Sequence, residues 1–428
     1  MTTRFFRWMA FFVIVICSLS ILPASETSVL VGILVRKGIL TEEEARAVID
    51  EASLAVLEST PEGAVPPVAA DSPVSDLEPE KESMLVLPDS KIATNFEIGG
   101  RLQVQYADIG TDIEGSEEDP GRTRHFFLRR VYLTTKGRFG PQWDAKVTYD
   151  FANSGFDAAF VRYKVNDDNH FVFGLKKVNL AYEEVLSSGR QKAIERSGVT
   201  RYFAEANNGR RLGAASYRVG VFYDGTSNGF FYGGAITNPE RPVIAVDAAS
   251  DGDVWNNGLA YWANGGFRAE YEGGSAIFGA AVGYLQDQGD LIGTGENMTV
   301  GSVFADATLG EWRLMTELLL SDTGTARPWG FYLQPSVMFT PRVEGVFRLS
   351  FTDSDGRGIR TSDGIRSAPS AETMDKLVEG YLGANWYIMG NDMKLQGGVV
   401  FGRTEDTVGG GDARADVLGF RSQLQLNF

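Results

Sequence analysis

The sequence predicts an all-β fold: a transmembrane antiparallel β-barrel of about sixteen strands, preceded by a short helical segment. Three observations carry this expectation. From Phe96 onward, apolar and polar residues alternate with period two, the pattern of a strand with one face in lipid and the other in a lumen. Candidate strands often run to ten residues or more, enough for a tilted strand to cross the hydrocarbon layer. Short turns also alternate with long polar loops, the asymmetry of an outer-membrane barrel. After residue 25 no stretch approaches the roughly 18 continuous apolar residues of a spanning helix, which excludes a helical membrane protein.

In chain order, residues 1–25 read as a secretory signal peptide: Arg4 and Arg7, an apolar run from Ala10 to Ile16, then Leu22-Pro23-Ala24. Cys17 is the only cysteine, and removal of the leader would leave a chain without thiol chemistry. Residues 26–58 read as a short helical segment for oligomerisation or for a cell-wall or periplasmic partner. Thr41-Glu42-Glu43-Glu44 forms a capping box there, and Val48, Ile49, Ala52, Ala55 and Val56 an apolar stripe. Residues 59–90 hold six prolines among Ala, Ser and acidic residues, the composition of a disordered linker. The barrel is expected over residues 91–428.

Within it, Leu102, Val104 and Tyr106 alternate with Arg101, Gln103 and Gln105. Ala145, Val147 and Tyr149 alternate with Lys146, Thr148 and Asp150, and the chain ends on the alternating run Gln423 to Phe428. Phe139-Gly140-Pro141, Asn166 to Asn169, Thr340-Pro341-Arg342 and Gly390-Asn391-Asp392 read as short turns. Residues 109–124, 239–257, 354–373 and 404–414 read as long loops. Sixteen strands of this kind enclose an aqueous channel.

The formal net charge is −16, which removes the electrostatic case for nucleic acid. The charge is uneven: residues 121–218 hold 18 basic and 9 acidic side chains, a local +9. Two histidines and no cysteine in the mature chain offer no strong metal cluster, and Asp353-Ser354-Asp355-Gly356 lacks the downstream glutamate of a calcium loop. Neither a nucleophile elbow nor a phosphate-binding glycine loop appears, so no enzyme and no cofactor is expected.

Several stretches together resemble the phosphate-selective porin O/P family: Gly100 to Gln103, Arg129-Arg130, Trp143 to Phe151, Asp157 to Lys164, the segment Gly174 to Gly213, Asn385-Trp386-Tyr387 and Phe420 to Phe428. The resemblance implies a homotrimer of sixteen-stranded barrels in the bacterial outer-membrane lipid. It also implies a third long loop folded inward as the constriction, here about residues 179–210. That loop carries Arg190, Lys192, Arg196, Arg201 and Arg210, with Arg211 opening the next strand, as candidate anion contacts. By strand parity Arg101, Lys146, Arg162, Lys164 and Lys176 face the lumen. The expected function is passive diffusion of small hydrophilic solutes, anionic or neutral, with anions such as phosphate favoured. Glu183, Glu184, Glu195 and Glu205 share the loop, so at the level of sequence a non-selective general porin stays open. So does a structural anchor tethered through the helical segment.

Overall fold

The computed structural model describes residues 85–87 as backbone and residues 95–114, 121–239, 258–289, 296–407 and 413–428 in full. The expected signal peptide and helical segment, and nearly all of the expected linker, lie outside the described residues. The exception is β1 (Leu85–Leu87), which pairs with the start of the first barrel strand, Leu85 opposite Ile98 and Leu87 opposite Phe96. Ordered pairing therefore begins before residue 90, where the linker was expected to end.

Sixteen antiparallel strands follow: β2 (Asn95–Ile113), β3 (Gly121–Phe139), β4 (Trp143–Asp150), β5 (Gly155–Lys164), β6 (Asn169–Lys177), β7 (Tyr217–Ser227), β8 (Phe230–Thr237) and β9 (Ala260–Tyr271) build the first half. The second half is β10 (Gly274–Leu285), β11 (Met298–Leu309), β12 (Trp312–Asp322), β13 (Trp329–Thr340), β14 (Val343–Asp353), β15 (Lys376–Met389), β16 (Met393–Glu405) and β17 (Arg414–Asn427). Each strand pairs with its chain neighbours, and β17 pairs with β2 to close the ring. Closure continues to the last residue: Gly100 N–H donates to the Phe428 carbonyl at 2.6 Å, and Phe428 N–H to the Gly100 carbonyl at 3.1 Å. A closed ring leaves no ladder group facing hydrocarbon, the condition for crossing a membrane with strands.

The alternation becomes the two faces of this wall. Leu102, Val104 and Tyr106 point outward while Arg101, Gln103 and Gln105 are buried on the inside. Exposed apolar side chains, among them Phe173, Phe278, Leu318, Leu382 and Leu424, populate the outer face of strand after strand. Such a surface is stable only against lipid. Wall height is uneven: β2 and β3 have 19 residues each, whereas β4 to β8 have 8 to 11.

Two backbone irregularities prepare the interior. On β3 a bulge leaves Arg129 without an opposite residue, between Leu128 facing Val104 and Arg130 facing Gln103. The extra residue reverses the parity, so Arg129 and Arg130 both reach into the lumen. On β6, Gly174 has φ +127°, and a Cβ there would stand 2.3 Å from the Ala159 carbonyl oxygen. Only glycine fits that position, just before the chain leaves the wall to form the inward loop.

Candidate functional site: the inward loop and its charges

Residues 178–216 connect β6 to β7 inside the barrel, and they carry α1 (Tyr182–Val185) and α2 (Gly198–Ala204). The alternation is lost here because nearly every side chain meets protein on all sides. Val178, Leu180 and Tyr182 pack with inward-facing Phe222, Phe231 and Phe304, and the Tyr182 ring stacks on Phe304 at 4.3 Å. One side of the lumen is thus an apolar core that seats the root of the loop. Further along the loop polar groups join apolar ones, such as Ala193 and Ile194 against Val346 and Tyr381.

The tip, residues 187–192, rests on β2, β16 and β17. Arg101 Nη1 donates to Ser188 Oγ at 2.8 Å, Gln425 to the Gly189 carbonyl at 3.0 Å, and Lys394 Nζ to the Gln191 carbonyl at 2.9 Å. On the β11–β15 side, Glu317 accepts from the backbone N–H groups of Tyr182 (2.7 Å) and Glu183 (3.2 Å). Fully buried Arg348 on β14 ties three elements together. It pairs with Glu379 on β15 (2.7 Å) and Glu183 on α1 (3.4 Å), and donates to the Glu195 carbonyl at 2.7 Å.

α2 starts where Ser197 caps it: the hydroxyl accepts from Thr200 N–H at 3.2 Å and donates to Glu183 Oε2 at 2.6 Å. This cap ties α1 to α2 and aims the Arg201 and Glu205 end of the helix at an arginine cluster. Arg129 forks onto Glu195 (2.7 and 3.2 Å), and Arg366 reaches Glu195 (3.0 Å) and Glu205. Glu205 also receives both arms of Arg201 (3.0 Å each) and Arg211 (2.6 Å). Arg210 forks onto Asp363 (2.7 and 3.3 Å) in α3 (Thr361–Gly364). Arg421 on β17 donates to the Arg366 carbonyl, and its other terminal nitrogen, also buried, has no hydrogen-bond partner among the described residues. Six arginines here surround three carboxylates. Burial opposes ionisation of Glu195 and Glu205, yet the guanidinium charges outweigh it: Arg129 then Arg366 for Glu195, Arg201 then Arg366 for Glu205. Both carboxyls are held well below the ordinary range.

The opposite side balances differently. Glu183, Glu184, Asp306, Glu317, Glu344 and Glu379 face Lys177, Lys192, Arg196, Arg313 and Arg348 there. The basic excess thus sits between α2, β3, β17 and the β14–β15 connection. A second excess lies at the mouth where the chain makes short turns. Arg138, Arg162 and Lys164 share the single carboxylate of Asp144, at 3.4, 2.7 and 3.2 Å, and Lys146 stands on the same inner face of β4.

The residues singled out from sequence therefore separate by location. Arg201, Arg210 and Arg211 join the arginine cluster. Lys192 and Arg196 are drawn into pairs with Glu344 (2.9 Å) and Glu184 (2.9 Å), and Arg190 sits in the tip, where its backbone N–H donates to the Ser187 carbonyl at 2.9 Å. Arg101 anchors the tip, Lys146, Arg162 and Lys164 line the mouth, and Lys176 is sealed against Asp224. Four arginines of this network were not among the sequence candidates: Arg129, Arg348, Arg366 and Arg421. Lumen parity marks Arg348 and Arg421, and a doubled arginine within an alternating run marks the Arg129 bulge. Nothing in the local sequence marks Arg366.

A closed sixteen-stranded barrel with an apolar outer face and a charged loop folded into its lumen is an outer-membrane porin, a channel for small solutes. The family model described as phosphate-selective porin O and P matches residues 96–272, which spans β2 to β9 and the whole inward loop. Over this stretch the chain is similar to that family. Among solved structures it is similar in fold to Pseudomonas putida OprB, with a TM-score of 0.54 and 10% identity over 77% of this chain and 94% of that one. An anion-selective porin from Comamonas acidovorans gives 0.51 and 14%, over 77% and 99%. The outer membrane channel DcaP of Acinetobacter baumannii gives 0.51 and 11%, over 79% and 100%. No curated protein matches the chain.

Proposed function

We propose that this porin favours anions, oxyanions of the phosphate class among them, and that it works as a homotrimer. The observation that carries the anion preference is the arginine cluster: six guanidinium groups on three carboxylates, beside the loop that narrows the lumen. Arg366, Arg210 and Arg211 are its more accessible members, with side chains 28%, 22% and 18% exposed. In a narrow lumen with low-dielectric walls such an excess attracts anions and repels cations. Guanidinium forks match a tetrahedral oxyanion better than a spherical halide. Lys146, Arg162 and Lys164 at the mouth extend the same field along the path. The low wall of β4 to β8, with Val147, Phe173 and Val221 exposed on its outer face, supports the trimer as the place where copies meet.

The test is the reversal potential of the full-length protein in a planar bilayer under a potassium chloride gradient. A value near the chloride potential supports the reading; a value near the potassium potential overturns it. Added phosphate then reduces chloride current if oxyanions bind the cluster. Native mass spectrometry in detergent checks the trimer, and a monomer only would remove it.

A further inference from the structure

Residues 354–373, within the connection between β14 and β15, read from sequence as a long polar loop. The structure turns them inward. Ile359, Thr361, Asp363, Ile365 and Met374 are buried, and Gly364 packs so closely that a Cβ would stand 1.9 Å from Leu377 Cδ2. The segment then lies on the inward loop through four separate ties. Asp363 accepts from Arg210 and from Asn208 (2.7 Å). Arg201 donates to the Ser362 carbonyl at 3.3 Å, and Arg357 to the Arg210 carbonyl at 3.4 Å. Arg366 bridges Glu195 and Glu205, the two carboxylates at either end of α2.

We propose that this connection is a second constriction element, and that Arg366 is the positioning residue coupling it to the inward loop. Glu195 and Glu205 flank α2. While Arg366 holds both, each carboxylate faces guanidinium groups and adds little negative field to the path. Without it, Glu205 keeps Arg201 and Arg211, Glu195 keeps Arg129, and one positive charge is gone from the narrowest region. Each carboxylate then has one guanidinium partner fewer to offset its negative field, and the connection loses its central tie. Arg366 thereby acts on selectivity through its partners. The sign of that effect rests on the anion-channel reading, but the coupling of the two loops does not.

The experiment compares Arg366→Gln, Arg366→Lys and Arg366→Gln/Glu205→Gln with the parent chain in planar bilayers, each first shown to be a folded barrel by heat-modifiable migration. Arg366→Gln is expected to lower the anion-to-cation permeability ratio by about threefold or more and to increase open-channel current fluctuations. Arg366→Lys, which keeps the charge, is expected to recover most of the ratio. The double variant is expected to recover the ratio but not the quiet current, because the charge balance returns and the tie does not. A purely structural role would move the fluctuations and leave the ratio unaltered in all three variants. That result, or no change in either quantity for Arg366→Gln, overturns the proposal. If the parent channel proves cation-selective while Arg366→Gln still raises fluctuations and shifts the ratio further toward cations, the anion-channel reading fails and the coupling stands.

Discussion

At the scale of single residues, the interior is a set of charges that fold the loop as much as they select ions. Arg348 illustrates this. It is buried, and one guanidinium joins α1, β15 and two loop carbonyls. Removing one partner of a buried ion pair costs about 3–5 kcal/mol, because the remaining charges stay desolvated and unpaired. Arg348→Leu is therefore expected to loosen the inward loop while the wall persists. Single-channel conductance should rise, and the midpoint of heat-modifiable migration should fall. The acid response follows from Glu195 and Glu205. Their carboxyls lie below the ordinary range in the folded chain, so their contribution to stability is complete above the unfolded glutamate value of about 4.3. It is lost only as pH drops below that value and through the depressed folded values. From pH 7 to 5 these two glutamates themselves should stay ionised, so the single-channel loop-opening fluctuations that Glu195→Gln removes should set in only below about pH 4. Onset of such fluctuations near pH 6 would contradict this account of the two glutamates.

At the scale of elements, a seven-residue helix too short to stand alone sets the position of the arginine cluster. Its stability comes from the Ser197 cap, from Val199, Tyr202 and Phe203 in the core, and from the pairing of Arg201 with Glu205 one turn on. Ser197→Ala removes the cap and also a donor to buried Glu183. The cap alone is worth about 1 kcal/mol, and the stranded carboxylate adds to it. The variant is expected to assemble into a normal barrel with a noisier channel of reduced anion preference, read by the same bilayer recordings. The bulge on β3 is the companion device. By placing Arg129 and Arg130 side by side on the lumen face, it gives one strand two adjacent contacts, Arg129 to Glu195 and Arg130 to Gln103 at 2.8 Å.

At the scale of the whole molecule, the ring has an apolar outside and a packed, charged inside, and each imposes a different penalty on change. Leu382 lies mid-strand on the lipid face of β15 and is 54% exposed. Leu382→Arg is expected to cost about 2–4 kcal/mol near the bilayer midplane, visible as a lower yield of heat-modifiable barrel. Neighbouring Tyr381 points the other way into the lumen, where Arg348 stands over its ring at 5.8 Å. A change there should alter the channel while barrel yield holds. One residue of displacement thus exchanges an assembly phenotype for a permeation phenotype.

The wall was legible in the sequence because a membrane barrel obeys a local rule. Each strand must alternate, and each turn must be short on one side, so Leu102 to Tyr106 or Gln423 to Phe428 disclose their faces without reference to the rest of the chain. The sixteen strands, the positions of the short turns and the inward parity of Arg101, Lys146, Arg162 and Lys164 followed from that rule alone. The inward loop was legible as a segment rich in charge, but not in its pairing. Nothing local says that Lys192 meets Glu344 152 residues on, or that Arg196 turns back to Glu184. The folding-in of residues 354–375 was invisible for the same reason: a polar loop that packs on another loop carries the composition of one that faces water. Local alternation thus determined the barrel and which side of each strand meets lipid. Only the tertiary structure decided which charges neutralise one another and where the positive excess remains, because ion pairing inside a lumen depends on distances across the ring that no stretch of sequence encodes.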